Sequence, residues 1–161
     1  MTGIVIQRPV DWQDTDAAGH YHHSAVIRWV EAAEAALLAE LGLRWLFGRI
    51  PRVRYEVDYA DRLWFGDTAS IELSVGKVGT SSIRYDFVIT RIPASAPPAA
   101  QTPPTVAVRG ALTAVHTPDA GAQPWPADIA AALGDTPTSQ LEPTGAREHP
   151  PEFPTLSTRE V

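Results

Sequence analysis

The sequence predicts an α+β domain in which an antiparallel sheet wraps around one long central helix. Residues 24–41 have apolar side chains spaced three and four apart, which is the period of a helix with one buried face. The segments that follow change to a period of two, and short turn-like links separate several of them. At 161 residues, the chain has the length of one domain and can bury a hydrophobic core.

The long helix is predicted from its apolar stripe and its ends. The stripe consists of Val26, Val30, Ala33, Leu37 and Leu41. Ala and Leu are frequent along it, and both are strong helix formers. Ser24 is placed for an N-cap, although no Glu or Gln stands three residues later to complete a capping box. Gly42 is placed where a helix commonly ends.

The sheet is predicted from one strand before the helix and four after it. We expect these strands at residues 4–12, 52–59, 68–78, 82–92 and 105–116. Turn sequences at 65–67 and 79–81 suggest that the three strands they link form an antiparallel meander. Residues 127–133 suggest a short helix. Exposed edge strands favour pairing with a second copy, so we expect a homodimer or a dimer-of-dimers tetramer.

The domain is expected to span residues 1–135. Its strands are interrupted at residues 93–104, where five prolines suggest a loop. Residues 136–161 are polar and rich in proline, so we expect a disordered or loosely packed tail.

Composition excludes several function classes. The formal net charge is −6, which argues against nucleic-acid binding through a general positive field. The chain has no cysteine, so a disulfide, a thiolate nucleophile and a cysteine metal site are excluded. No apolar run approaches the roughly 20 residues of a membrane span, and the N-terminus does not resemble a signal peptide. We therefore expect a cytoplasmic protein with no membrane partner.

Two aspartates precede the long helix, in the sequence DWQDTDAAGHYHHS at residues 11–24. A helix N-terminus has free backbone N–H groups that can stabilise an oxyanion. A carboxylate beside it can act as a nucleophile or as a general base on water. Asp14 and Asp16 therefore suggest hydrolysis of an acyl group. The alternative is that both are turn and capping residues, where aspartate is common.

Three histidines in the same segment raise the possibility of a metal site. His20, His22 and His23 could supply ligands together with an aspartate. Adjacent His22 and His23 cannot easily point at one ion, however, and no H-E-x-x-H spacing is present. We predict no metal and no cofactor, with these side chains lining a pocket, bonding to the backbone or facing water.

The motif and the helix together resemble a known family. D-T-D-A-A-G at residues 14–19, followed by R-W-V-E-A-A-E at residues 28–34, is similar to the hotdog-fold acyl-CoA thioesterases. The nearest group is the one related to 4-hydroxybenzoyl-CoA thioesterase. The likeness is strongest through the helix, whereas the later strands match in number and spacing. The chain departs from the family pattern at Ser24 and Ala25, where members often have Asn or Pro.

The resemblance implies hydrolysis of an acyl thioester of coenzyme A or of an acyl-carrier protein. Asp16 would be the nucleophile or general base, and the N–H of His23 would polarise the thioester carbonyl. Gly19 would let the chain turn tightly beside the substrate. Glu31 falls where the family often has an acidic helix residue, although a solvated helix face explains a glutamate there equally well.

Further residues are candidates for contacting the substrate. The predicted substrate-binding set is Gly19, His20, His22, Ser24, Trp64 and Arg84. The cations that could meet the phosphates of coenzyme A are Arg62, Lys77, Arg84 and Arg109. The aromatic residues that could line an acyl pocket are Trp29, Trp45, Trp64 and Phe65. Solvated surface charges and ordinary core aromatics are the competing explanations for these two sets.

Two other functions fit the same sequence. A hotdog dehydratase or polyketide-processing enzyme would need one of the three histidines to meet Glu31 or Glu34 across a dimer. A non-catalytic acyl-binding protein would bind the thioester without releasing a thiol. Fold alone does not decide among them.

Overall fold

The computed structural model describes residues 2–94 and 103–134. It contains five strands and two α-helices in these ranges: β1 (Gly3–Pro9), α1 (Ala25–Glu40), β2 (Arg52–Tyr59), β3 (Thr68–Val78), β4 (Ser82–Ile92), β5 (Thr105–Val115) and α2 (Ala127–Leu133). The predicted tail lies outside the described residues, as does most of the predicted loop at 93–104. None of the described helices has the length and apolarity to cross a membrane.

The five strands form one antiparallel sheet in the order β1-β3-β4-β5-β2. The meander therefore runs through β3, β4 and β5, and the predicted pairing of β2 with β3 is wrong. The turn before β3 does form, but it is bonded to the end of β1: the N–H of Gly66 donates to the carbonyl of Val10 (3.0 Å), and the N–H of Val10 to that of Asp67 (2.8 Å). This attachment carries the chain away from β2, which pairs with β5 at the sheet edge.

Helix α1 packs its apolar stripe against one face of the sheet. Val26, Val30, Ala33 and Leu37 are all buried, as the helical period predicted, and Leu41 is partly buried. The facing strands contribute core residues that include Ile71, Leu73, Ile83, Tyr85 and Ile89. Full burial of one such aliphatic side chain contributes about 1.5–3 kcal/mol, so this layer holds the helix in place.

The ends of α1 are formed by backbone geometry. Gly42 has φ +71, a left-handed conformation that favours glycine, and the N–H of Leu43 donates to the carbonyl of Leu38 (2.7 Å). The predicted stop at Gly42 is confirmed. At the other end, Ser24 occupies the N-cap position without a side-chain capping hydrogen bond.

The first strand is shorter than predicted. It ends at Pro9, and residues Trp12–Asp14 form a 3₁₀ turn in which the N–H of Asp11 donates to the Asp14 carboxylate (3.1 Å). Polar side chains that bond to nearby backbone compete with strand pairing, which accounts for the early end. The other predicted strands match the structure closely, with β5 ending one residue early.

Edge strand β2 contains a β-bulge at Val53. Arg52 pairs with Ala114 and Arg54 with Thr113, so one extra residue stands on the β2 side. The bulge changes which side chains of β2 face the helix and which face away, and as a result Arg52 contacts Glu34 on α1. Tyr59 likewise reaches α1's N-terminal end, by bonding to His23. Strand β2 therefore presents polar groups along the helix.

Candidate active site

A cavity of about 530 Å³ opens where the motif segment meets the end of β2. Its lining residues are Asp16, His20, Tyr21, His23, Tyr59, Ala60, Asp61 and Arg62. Backbone contacts hold the two segments together: the N–H of Tyr21 donates to the carbonyl of Leu63 (2.8 Å), and His20 forms a β-bridge with Trp64. The cavity is thus built from parts of the chain that are 40 residues apart, and the sequence-predicted Asp16, His20 and His23 meet in it.

Asp16 begins a tight turn at the cavity. Its Oδ1 accepts a hydrogen bond from the N–H of Ala18 (2.8 Å), and its carbonyl accepts one from Gly19 (2.9 Å). Gly19 has φ +81, so the predicted tight turn is present. Within the described residues, the second carboxylate oxygen of Asp16 accepts no hydrogen bond. One oxygen is therefore oriented by the turn, and the other is open to a ligand.

Asp61 is the other carboxylate of the cavity, and both its oxygens are occupied. Oδ1 accepts from the N–H of Arg62 (2.8 Å), and Oδ2 accepts from the hydroxyl of Thr105 (2.9 Å). These hydrogen bonds lower the pKa of Asp61, because they stabilise the charged form. Asp61 is thus held as a fixed negative charge, and Asp16 is the better placed of the two to react.

His23 lies at the start of α1, and its peptide groups are held from both sides. The carbonyl of His22, which belongs to the same peptide group as the His23 N–H, accepts from Ala25 N (2.9 Å). The carbonyl of His23 accepts from the hydroxyl of Tyr59 (3.1 Å). Within the described part of the chain, the N–H of His23 itself donates to no acceptor. It is therefore free to donate to a ligand, and His23 lines the same cavity as Asp16.

The other predicted motif residues have local partners. His22 Nδ1 lies 2.8 Å from Ser24 Oγ and accepts from the N–H of Ser24 (3.3 Å). The rings of His22 and His23 lie 4.0 Å apart, centre to centre. His20 Nδ1 lies 3.1 Å from the carbonyl of Tyr21. Neither His22 nor Ser24 belongs to the residues that line the cavity.

The helix carboxylates lie away from the cavity lining. Glu34 is fully buried and pairs with Arg52, whose Nε lies 3.1 Å from its Oε2. Burial raises the pKa of Glu34, even though Arg52 acts in the opposite direction. Glu31 is half-exposed, with its Oε1 3.9 Å from Arg52 Nε. The described chain therefore does not bring Glu31 to Asp16, and the structure gives it no contact with the predicted reacting groups.

The chain is similar in sequence to known thioesterases. The model of the thioesterase-like superfamily matches residues 10–133. The chain belongs to this superfamily. A 1,4-dihydroxy-2-naphthoyl-CoA hydrolase from Synechococcus elongatus is 32% identical over 94 residues, which cover 54% of this chain and 69% of the relative. A hydrolase of the same name from Prochlorococcus marinus is 30% identical over 99 residues, covering 52% of this chain and 64% of the relative.

Solved structures show that this superfamily member has the hotdog fold. The 4-hydroxybenzoyl-CoA thioesterase from a Pseudomonas strain superimposes with a TM-score of 0.71 at 18% identity, covering 82% of this chain and 99% of that one. A 1,4-dihydroxy-2-naphthoyl-CoA thioesterase from Synechocystis gives a TM-score of 0.65 at 20% identity, covering 83% and 96%. The predicted fold class and family resemblance are confirmed.

The predicted cations are divided between the cavity and the sheet. Arg62 lines the cavity, whereas Lys77, Arg84 and Arg109 lie on strands β3, β4 and β5. Arg84 is paired with Glu56 and Asp86, each at 3.0 Å. Its guanidinium is therefore already engaged by two carboxylates, and this placement does not support the predicted contact with substrate phosphates.

The aromatic residues of the cavity differ from those predicted. Trp29 is buried in the core, and Trp45, Trp64 and Phe65 are exposed without lining the cavity. Trp64 packs edge-on against His20 at a ring distance of 5.7 Å, so it supports the cavity wall indirectly. The lining rings are two tyrosines that were not predicted from the sequence, Tyr21 and Tyr59. The period-two spacing of Tyr55, Val57 and Tyr59 was the signal available for the second of them.

Proposed function

We propose that the protein hydrolyses aroyl thioesters of coenzyme A to a free acid and a thiol, with Asp16 as the reacting carboxylate. The proposal is carried by one observation: Asp16 and His23 line the same cavity, and among the described residues one Asp16 oxygen and the N–H of His23 have no hydrogen-bond partner. Its support on the substrate side is that the relatives and structural neighbours are named for naphthoyl and hydroxybenzoyl thioesters.

The mechanism needs few groups. The thioester carbonyl oxygen would face the N–H of His23, where negative charge develops during attack. Asp16 would attack the carbonyl carbon to give a mixed anhydride and release the thiolate, or it would remove a proton from an attacking water. The anhydride would then be hydrolysed by water. In either route the products are the carboxylic acid and coenzyme A.

The lining of the cavity suits an aromatic acyl group. Tyr21 and Tyr59 place their ring centres 6.3 Å apart, at a tilt of 32°. The Tyr21 hydroxyl donates to the carbonyl of Asp61 (3.3 Å), and burial raises the pKa of Tyr21 to about 12. Aromatic rings packed beside a flat acyl group add about 0.5–1.5 kcal/mol beyond area burial. Arg62 is the cation at the cavity that could meet a phosphate.

A thiol-release assay over a panel of thioesters tests the proposal. The panel comprises 4-hydroxybenzoyl-CoA, 1,4-dihydroxy-2-naphthoyl-CoA, hexanoyl-CoA and palmitoyl-CoA. We expect the two aroyl substrates to give the highest kcat/KM. Fast release from the aliphatic substrates alone would contradict the aroyl class. Binding of every thioester without any thiol release would support the non-catalytic alternative instead.

The dehydratase alternative is not favoured by the contacts of this chain. In the described residues, neither Glu31 nor Glu34 is hydrogen-bonded to a histidine, and both lie beside Arg52. A dehydratase would have to obtain its histidine from a second copy. Formation of an enoyl product from a 3-hydroxyacyl thioester, without thiol release, is the result that would revive it.

We also propose that the protein is a homodimer or a dimer of dimers. Its support is the edge position of β2, because no other strand of the described residues pairs with its outer side. Light scattering during size-exclusion chromatography should give two or four times the chain mass of 17.4 kDa. A mass of one chain at micromolar concentration would contradict it. The cytoplasmic location and the carrier-protein alternative to coenzyme A stay predictions from the sequence.

A further inference from the structure

We propose that Tyr59 is a positioning residue whose hydroxyl holds the oxyanion-binding peptide at the start of α1. This inference rests on the proposed function, since it assigns a role in the same site. Tyr59 is the last residue of the edge strand β2, and His23 lies 36 positions earlier in the chain. The hydrogen bond between them joins the strand to the helix start directly at the cavity.

The geometry of His23 makes this bond consequential. The His23 N–H belongs to a peptide group whose oxygen already accepts from Ala25 N (2.9 Å). The next peptide group, which carries the His23 carbonyl, is held by the Tyr59 hydroxyl at 3.1 Å. The two peptide planes that flank the His23 Cα are thereby each held by a hydrogen bond. An oxyanion donor that is fixed in advance needs no reorganisation during the reaction.

The position and exposure of Tyr59 distinguish it from a residue that only stabilises the fold. Tyr59 is 48% exposed and lines the cavity, so it contributes less to the core than the fully buried Tyr85 does. Removal of its hydroxyl should therefore affect the site more than the stability. Its hydroxyl is protonated at neutral pH, as in any tyrosine, and burial raises the pKa of Tyr59 further.

The variant Tyr59→Phe keeps the ring and removes only the donor. We expect its kcat for 4-hydroxybenzoyl-CoA to fall about tenfold, with KM within about twofold and a nearly unchanged melting temperature. Tyr55→Phe is the matched control. It lies on the same strand, and its hydroxyl has no hydrogen-bond partner among the described residues. We expect it to keep the kcat of the unmodified chain.

A spectroscopic measurement distinguishes positioning from general support. Infrared difference spectra of a ¹³C-labelled 4-hydroxybenzoyl thioester carbonyl, bound to Asp16→Asn, report how strongly the carbonyl is polarised. Adding Tyr59→Phe to that variant should move the carbonyl band back towards its frequency in solution. Adding Tyr55→Phe should leave the band where it is.

The outcomes separate this inference from the proposed function. An unchanged kcat in Tyr59→Phe, or a lower kcat with an unmoved carbonyl band, overturns the positioning role. Absence of thiol release by the unmodified chain contradicts the proposed function instead, and the carbonyl band of the bound thioester then decides the role of Tyr59 by itself.

Discussion

Asp14 and Asp16 are separated by one residue in the same motif, yet Asp14 is buried in the fold and Asp16 is exposed. Asp14 is buried, with Oδ1 accepting from Arg28 Nη2 (2.5 Å) and Oδ2 from the N–H of Asp11 (3.1 Å). Asp16 is exposed at a cavity, and one of its oxygens is oriented only by the adjacent turn. Both oxygens of Asp14 accept hydrogen bonds from protein groups, whereas one oxygen of Asp16 has no partner among the described residues.

The comparison shows that two carboxylates of one motif can differ in their partners, and this difference is the reason we propose Asp16, and not Asp14, as the reacting group. The partner that commits Asp14 is Arg28, which lies 14 residues further along, on the first turn of α1. The carbonyl of Asp14 also accepts from the N–H of His22 (2.7 Å). Asp14 therefore ties the turn to the helix, and this tie helps to set the position of the neighbouring Asp16.

The largest effect is expected from Asp16→Asn, which keeps the shape and removes the negative charge. We expect kcat for aroyl-CoA thioesters to fall by ~10²–10³ or more, with the fold retained, because an amide is neither an effective nucleophile nor a base. Thiol release measures the rate, and circular dichroism measures the fold. Turnover at the rate of the unmodified chain would show that Asp16 is not the reacting group.

The next effect is expected from Asp14→Asn, and it concerns stability. The change removes the charge facing Arg28, and we expect the free energy of unfolding to fall by about 2 kcal/mol. Urea unfolding measures this loss. The kcat per folded molecule should fall less than in Asp16→Asn. Equal loss of kcat in the two variants would erase the functional distinction between these aspartates.

A third aspartate extends the comparison to pH. Burial acts to raise the pKa of Asp67, but hydrogen bonds from Arg91 and from the N–H groups of Trp64 and Ala94 outweigh it and lower the pKa. The folded pKa lies below the unfolded one, so the stabilisation is present above about pH 4 and is lost as the pH falls through the folded value.

We therefore expect Asp67→Asn to lower the free energy of unfolding at pH 7 by about 1–2 kcal/mol, because an uncharged amide cannot replace these hydrogen bonds fully. The difference from the unmodified chain should shrink below about pH 4. Urea unfolding at pH 7 and at pH 3 measures both values. An equal difference at the two pH values would mean that the charge of Asp67 contributes nothing.

The smallest effect is expected from Gly19→Ala, at the turn that orients Asp16. An added Cβ would meet no atom within 4 Å, so its cost is conformational only and amounts to about 1 kcal/mol at φ +81. We expect a small fall in melting temperature and a change in kcat of only a few fold. A loss of activity as large as that of Asp16→Asn would show that the turn geometry is as critical as the carboxylate.

Much of the fold could be predicted because it depends on local periodicity. The apolar stripe from Val26 to Leu37 and the turn at Gly42 are properties of short segments, and both were found. The position of β2 was not, because strand order depends on the bonds between Gly66 and Val10, which are distant in sequence. The site likewise combines residues that a short motif indicates with residues that only long-range contacts bring together. The motif indicated Asp16 and His23, but only the folded chain brings Tyr59 and Asp61 to them.

The bulge at Val53 limits how the sheet can grow. An incoming chain that adds to the outer side of β2 must match a regular row of amides and carbonyls, and the extra residue interrupts that row. Beyond the bulge, residues 54–59 leave a stretch long enough for one defined strand pair. The same interruption makes the edge a poor template for open-ended stacking into fibrils, so it protects against aggregation without preventing assembly.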